Sequence, residues 1–196
     1  MKGGKLLAQL TLWSFCCSTL FAAIPEYDRF PFTLPANSER LVAADVNGDS
    51  LNELITVVDD AIRIYFHRAN GFDFETGFGE ITFPGTSVGW DLSTNYSTDD
   101  RASIIALVNG TDAYVWPIEN ETILEPKLIK SELPGFLSKG VNRLFFSRDI
   151  NADSAEDLVI PGAGNLHVFI AEENGTYQPG LAIQANTRLR TSLDPN

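Results

Sequence analysis

From residue 36 onward the chain is a succession of short apolar runs, broken every few positions by Asp, Asn, Gly and Pro. Leu54-Ile55-Thr56-Val57-Val58 is β-branched and apolar, the pattern of a buried strand. Just after it, Ile62, Ile64 and Phe66 alternate with Arg63, Tyr65 and His67, a period of two that turns successive side chains to opposite faces. The succession returns at Leu158-Val159-Ile160, with Leu166, Val168 and Ile170 alternating with His167 and Phe169. Leu54 to Tyr65 is eleven residues and Leu158 to Phe169 is eleven again; Ile105 and Trp116 keep that spacing and register a third unit between the two. An outer strand is expected in Glu80-Ile81-Thr82-Phe83, in Leu124 to Ile129 and in Leu181-Ala182-Ile183. Four antiparallel strands in about 50 residues describe one propeller blade. No segment carries a helical period. The expectation is an all-β chain with units at 36–85, 86–138 and 139–186, an extended lead-in at 24–35, and a further unit opening at 187–196.

Before the first buried run stands Asp45-Val-Asn47-Gly-Asp49-Ser-Leu51-Asn-Glu53-Leu54. Oxygen-bearing side chains fall at the first, third, fifth and ninth positions, and the Leu51 carbonyl completes a curl of oxygens at the seventh. A hard cation such as Ca2+ takes six to eight oxygens at about 2.3 to 2.6 Å, so this is the donor set of a calcium loop. It is not an EF-hand, which needs Gly at position six and a bidentate Glu at twelve, where this chain has Ser50 and Thr56. The device returns 104 residues later as Asp149-Ile-Asn151-Ala-Asp153-Ser-Ala155-Glu-Asp157-Leu158, again entering a strand. Two calcium sites are expected: Asp45, Asn47, Asp49, Leu51 and Glu53 in one, Asp149, Asn151, Asp153, Ala155 and Asp157 in the other. Solvated Asx-turns are the bland reading of either loop alone. In the middle unit Asp91, Ser93 and Asn95 imitate positions one, three and five, but the loop is longer and Ile104 takes the place of Glu53, so no cation is expected there.

These loops, with Leu158-Val159-Ile160-Pro161-Gly162-Ala163-Gly164 and Leu166-His167-Val168-Phe169 behind the second, resemble the FG-GAP or VCBS repeat family, the integrin-alpha-like β-propellers. That family carries a D-x-[DN]-x-D-x-x-x-D-L loop ahead of a strand and a small-residue turn. It usually has Gly at the sixth loop position, where both copies here have Ser. The resemblance covers residues 36–196. It implies a partial β-propeller of about three four-stranded antiparallel blades, with adhesion or recognition of a protein or glycan as the commonest use.

Composition narrows the setting. Lys2 and Lys5, an apolar run from Leu6 to Phe21 and then Ala22 and Ala23 read as a secretory signal over 1–23. Gln9, Thr11, Ser14 and Ser18 interrupt it too often for a membrane span, so no membrane insertion is expected once it is removed. Cys16 and Cys17 follow Phe15 and Cys16, where a lipoprotein signal wants small residues, and cleavage after Ala22 or Ala23 removes both cysteines. The formal charge is −12; without the two signal lysines it becomes −14, which disfavours nucleic acid and anionic lipid as partners. Six of the acids occupy loop positions, so the acidity is partly a demand for metal. With 44% hydrophobic and 11% aromatic residues, a sizeable core is possible.

Nothing else in the chain reads as a catalytic site. There is no nucleophile elbow, no His-x-x-x-His pair and no phosphate-cradling Gly loop. His67 and His167 are expected at matching strand positions of two units, a structural role; Trp90 and Trp116 are expected to pack between units, with a sugar- or peptide-binding surface as the alternative. Sequons stand at Asn95, Asn109, Asn120 and Asn174. The leading reading is a secreted, calcium-stabilised recognition module that is not itself an enzyme. The alternatives are the non-catalytic scaffold of a longer extracellular polysaccharide lyase or hydrolase, and an envelope assembly factor. Arg188-Leu189 before Asp194-Pro195-Asn196 repeats Arg143-Leu144 before Asp149-Ile150-Asn151, so a new loop is expected at residue 194 and further blades after it.

Overall fold

The first strand to form a sheet, β1 (Ser38–Ala44), runs into the Asp45 loop, and β2 (Glu53–Val58) leaves it. A two-residue turn, Asp59-Asp60, with both residues at positive φ, then returns the chain as β3 (Ala61–Tyr65). This is the hairpin geometry that matches the strands' right-handed twist. A small ribbon, β4 (His67–Arg68) and β5 (Gly71–Phe72), precedes β6 (Phe78–Ile81), and β1-β2-β3-β6 form one antiparallel sheet. The plan then repeats. β7 (Ser87–Ser93), β8 (Ser103–Val108) and β9 (Asp112–Trp116) are followed by the ribbon β10 (Ile118–Glu119) and β11 (Thr122–Ile123), and by β12 (Lys127–Lys130) on the outer edge. The third sheet has β13 (Ser147–Arg148), β14 (Asp157–Pro161), β15 (Asn165–Phe169) and β16 (Leu181–Gln184); an isolated Ala171–Tyr177 bridge replaces the ribbon. This is a computed structural model, which describes residues 31–97, 101–135, 139–162, 164–172, 175–178 and 180–184. The sheets lie within one compact unit, 34–196. The signal segment 1–23 and the start of a further unit at 187–196 lie outside the described residues, as does most of the lead-in.

The fold is therefore all-β, three four-stranded antiparallel sheets with no helix among the described residues. The outer strands overlap the expected stretches but two are displaced: β6 begins at Phe78 and ends at Ile81, before Thr82 and Phe83, and β12 begins only at Lys127, three residues after Leu124, while β16 matches from Leu181. The sheets stack face to face through the second one. On its central strand β8, Ile104, Ala106 and Val108 face one way, into a core with Ile55, Val57, Ile62, Ile64 and Ile81 of the first sheet. Ile105 and Leu107 face the other way, packing with Leu158, Ile160 and Phe169 of the third. All six β8 residues are buried, which is why this strand reads as a continuous apolar run rather than an alternating one. Each fully buried Ile or Leu contributes about 1.5 to 3 kcal/mol. Trp90 and Trp116 are buried in the first of these cores, so the packing expectation holds and neither offers a binding surface.

A connecting segment ties the second sheet to the third. Gly140 N–H donates to Ser87 O at 3.0 Å, Trp90 N–H to Asn142 O at 3.0 Å, and Leu144 N–H to Trp90 O at 2.9 Å, so 140–144 runs parallel beside β7. The Trp90 indole N–H donates to Val141 O at 3.0 Å. Gly89 permits this approach: a Cβ there would collide with the Leu144 side chain and with the Asn142 carbonyl oxygen.

The pairing corrects the register of the middle unit. Leu54 pairs with Tyr65 and Leu158 with Phe169, but Trp116 pairs with Ile104, not Ile105. The β8–β9 turn, Asn109 to Thr111, is one residue longer than Asp59-Asp60, and the extra residue absorbs the shift. His67 and His167 are not equivalent either. Counting from Leu54–Tyr65 and Leu158–Phe169, His67 matches Ala171 and His167 matches Arg63.

Candidate metal-binding loops

The two loops share one conformation, held by the same hydrogen bonds. In the first, Asp45 takes the Gly48 N–H on Oδ1 at 2.7 Å and the Ser50 N–H on Oδ2 at 2.8 Å. Asn47 Oδ1 accepts from Asp49 N–H at 3.0 Å, and Asp49 Oδ1 from Leu51 N–H at 2.8 Å. In the second, Asp149 takes Ala152 N–H at 2.7 Å and Ser154 N–H at 3.0 Å, Asn151 takes Asp153 N–H at 3.1 Å, and Asp153 takes Ala155 N–H at 2.8 Å. Each Asn amide also reaches the fifth-position carboxylate: Asn47 to Asp49 at 3.3 Å, Asn151 to Asp153 at 2.7 Å. These are nested Asx-turns, in which short side-chain oxygens bond the main chain a few residues on.

The ninth position closes each loop from inside. Glu53 and Asp157 are both fully buried at the start of their strands. Glu53 accepts from Val46 N–H at 3.0 Å and from His67 N–H at 3.5 Å; Asp157 accepts from Ile150 N–H at 3.0 Å and Ala171 N–H at 2.8 Å. Glu and Asp thus do one job with side chains of different length. Burial pushes the Glu53 carboxyl above its ordinary range; its two main-chain donors pull the other way, and the negative charges of Asp49 and Asp45 push it up further.

The backbone explains a feature that residue types alone do not. Ser50 and Ser154, at the sixth position, have φ of 69° and 73°, in the left-handed region that Gly occupies without strain. Position four is left-handed as well, with Gly48 at φ 85° and Ala152 at 62°.

Asp45, Asn47 and Asp49 lie in one tight turn with Glu53 beneath it, and Asp149, Asn151, Asp153 and Asp157 repeat the arrangement. Among the described residues, no group of three or more His, Cys, Asp or Glu side chains is gathered closely enough to hold a metal ion. The donor set nonetheless fits a hard cation. It is all oxygen, it includes an amide and a carbonyl, and an ionised carboxylate has about four lone-pair sites, so a main-chain N–H on each oxygen leaves acceptor capacity. A bound cation supplies positive charge to carboxylates that otherwise repel one another.

The middle loop has a different job. Ser93 pairs with Ser103 where Ala44 pairs with Glu53 and Arg148 with Asp157, so Thr94 and Ser103, not Asp91 and Ile104, stand at positions one and nine. Asp99 and Asp100 lie outside the described residues. Asp91 is a fully buried strand residue that accepts from Arg143 Nε at 3.2 Å and from Ser147 N–H at 3.1 Å. The loop itself clasps both neighbours. Toward the first loop, Ala102 N–H donates to Asp45 O at 2.9 Å and Arg101 donates to Asn47 O at 3.0 Å. Toward the third sheet, Asn95 bonds the main chain of Glu156 twice, Nδ2 to its O at 2.6 Å and Oδ1 from its N–H at 2.8 Å. The Glu156 carboxylate in turn accepts from Thr94 Oγ1 at 3.2 Å and Ser147 Oγ at 2.7 Å, and the Tyr96 and Tyr177 hydroxyls meet beside this cluster. Burial raises both tyrosine pKa values. This clasp was not read from the sequence; a sequon at Asn95 gave no sign of it. Asn95 is thus occupied by main-chain bonds, Asn109 Oδ1 accepts from Thr86 N–H at 3.0 Å, Asn120 sits exposed in a turn, and Asn174 lies outside the described residues.

No known protein family's sequence profile matches the chain, and no curated protein matches it. Among solved structures, a chain of the Photorhabdus luminescens Tc holotoxin pore is similar at 16% identity and a TM-score of 0.44, over 76% of this chain. The match spans only 7% of that chain.

Proposed function

We propose that this chain is a secreted calcium-binding repeat module, its three sheets consecutive blades of a propeller-type array, that recognises a protein or glycan. The observation that carries the reading is the conformational identity of the two loops: different residues at positions four, seven and nine converge on one set of main-chain bonds and one all-oxygen donor set. The calcium is structural. Asp45, Asn47, Asp49 and Glu53 with the Leu51 carbonyl hold one ion, and Asp149, Asn151, Asp153 and Asp157 with the Ala155 carbonyl hold the other. Each loop joins two strands of one sheet, so an ion in it fixes the angle at which those strands leave the turn. The middle loop, with Arg101 and Asn95 on its two sides, does without metal what the ions do at its neighbours, since it hydrogen-bonds both. Recognition falls to the turns and loops that a rigid stack of sheets leaves exposed, where such surfaces are usually built.

The test is a glycan array and a protein-capture assay with the full chain, in calcium and in chelator. Retention of a defined glycan or protein that is lost with Asp45→Asn/Asp149→Asn supports the reading. Retention unaffected by either treatment separates recognition from the loops and removes the calcium half of the proposal.

A further inference from the structure

The turn that closes the first sheet, at the far end of β2 from the Asp45 loop, opens onto a groove. A cavity of about 570 Å3 has Glu39, Asp59 and Asp60 in its wall together with the Asn37 and Asn142 amides. A second cavity, of about 280 Å3, reaches Phe83, Thr86, Ser87 and Lys139. Asp60, Gly140 and Val141 line both, so the two are lobes of one groove between the Asp59-Asp60 turn and the connecting segment. The larger lobe alone has the volume of a small-ligand site, about 300 to 1,000 Å3. Two independent features point to a ligand. Ser87, in the wall of the smaller lobe, is 9% exposed, and its buried Oγ has no hydrogen-bond partner among the described residues. A buried hydroxyl without a partner is rare and costly, and a ligand oxygen in that lobe gives it one. The second feature is the turn. With φ of 49° and 65° it has the left-handed form that suits Asn-Gly, and the corresponding turns of the other sheets are Asn109-Gly110-Thr111 and Gly162-Ala163-Gly164, without a carboxylate. Only the first sheet places two acids there, and Asn37 Nδ2 holds Asp59 Oδ1 at 3.1 Å.

We propose that this groove binds an amino sugar, a hexosamine whose amine is free and protonated. The ammonium sits in the larger lobe among Glu39, Asp59 and Asp60, and the ring hydroxyls extend toward Thr86, Ser87 and Lys139. This deepens the glycan half of the recognition reading above and does not depend on the calcium half. Three carboxylates against the single Lys139 ammonium call for a cation. The polar groups continue through the second lobe, so the ligand must carry donors and acceptors along its length. A lysine or arginine side chain puts its charge on an apolar stem, which leaves the Ser87 hydroxyl unpaired. A neutral sugar leaves the carboxylates without a counter-charge. Lys139 donates to a ring hydroxyl but repels a second cation, so one charged sugar fits better than a polycation.

The experiment is an amide NMR titration of the full chain in calcium at about pH 6, where the carboxylates and the sugar amine are both ionised. The probes are methyl glucosaminide, its N-acetylated counterpart and N-acetyl-lysine amide. Methyl glucosaminide is expected to bind with a Kd of about 1 mM, shifting amides at 59–60, 87 and 140–142, and the other two at least tenfold more weakly. Asp59→Asn with Asp60→Gly installs the pair the turn geometry prefers, so the melting temperature is expected to hold or rise while binding falls at least tenfold. Ser87→Ala is expected to weaken binding about threefold. No shift at about 20 mM glucosaminide overturns the proposal. Equal binding of the acetylated sugar or of the lysine amide overturns it as well, and so does binding that the turn variant leaves intact. If the groove fails while the array or capture assay retains another ligand, this site is wrong and the recognition reading stands.

Discussion

Replacing Arg143 by Met is expected to be among the most damaging single changes that leave the loops untouched. The Asp91 carboxylate is fully buried and has two partners, the Arg143 Nε at 3.2 Å and the Ser147 N–H at 3.1 Å. Met fills much of the arginine's volume but removes its charge, leaving a buried anion with one donor. Removing one member of a buried pair usually costs about 3 to 5 kcal/mol. The Arg143 side chain is 21% exposed, so water reaches the vacated place and the lower end applies. The guanidinium also lies 4.6 Å from the centre of the half-exposed Phe145 ring, a cation–π contact of about 0.5 kcal/mol. The sum is about 3.5 kcal/mol. For a folded body of about 150 residues, where 1 kcal/mol moves the midpoint by about 2 to 4 °C, the melting temperature falls by about 7 to 14 °C. Asp91→Asn keeps an acceptor for Ser147 and is expected to cost about 1 to 2 kcal/mol. Thermal and urea unfolding of both singles and the double variant read the coupling; the double is expected to recover more than 1 kcal/mol relative to additivity. A loss below about 1 kcal/mol for Arg143→Met, or strict additivity, refutes the claim that this pair ties the connecting segment to the second sheet.

Three further outcomes follow from particular bonds and angles. Asn95→Ala removes both bonds to the Glu156 main chain and is expected to cost about 2 kcal/mol in urea unfolding, with amide exchange near Glu156 accelerated beyond the global effect. Ser50→Gly and Ala152→Gly relieve left-handed strain and are each expected to stabilise by up to about 1 kcal/mol, whereas Gly48→Ala is expected to destabilise by a similar amount; calorimetry distinguishes the signs. Asp73, bonded by the Thr76 hydroxyl and by the N–H groups of Thr76 and Glu75, has its pKa lowered to about 2, so its contribution to stability is present above the unfolded value near 3.9 and is lost as pH falls through about 2; carboxyl NMR titration checks this, and Thr76→Val is expected to move the value back up.

The sheets were legible because their signal is periodic. Leu54 to Val58 and Leu158 to Ile160 are apolar runs bounded by turn residues, and the outer strands follow at regular distances. The middle unit was registered one residue off because the Asn109 to Thr111 turn holds one more residue than Asp59-Asp60, and spacing from an aromatic cannot tell a longer turn from a shifted strand. That one residue made Ile104 rather than Ser103 stand in for Glu53; Asp91 was drawn into the loop separately, because Asp91, Ser93 and Asn95 imitate its donor spacing although Asp91 lies within β7, three residues before Thr94 at position one. The loops were legible from their oxygens, but their backbone was not: nothing in Gly48 against Ala152 announces that both are left-handed. Asn95 was opaque for a related reason. Its partners are the main-chain N–H and C=O of a residue 61 positions away, and main-chain atoms leave no mark in a residue pattern.

The central claim is that two calcium ions brace the loops at Asp45 and Asp149, and thermal unfolding with and without calcium tests it most directly. Extracellular modules bind calcium with dissociation constants of about 0.1 to 1 mM. At the tight end, about 1 mM calcium contributes about 1.4 kcal/mol per site, or about 3 kcal/mol for two, a rise of about 6 to 11 °C in melting temperature over chelator. Asp45→Asn and Asp149→Asn are each expected to remove about half of that rise and the double variant all of it, with Asp91→Asn leaving it intact. Superimposable melting curves of the unaltered chain in calcium and in chelator would contradict the account.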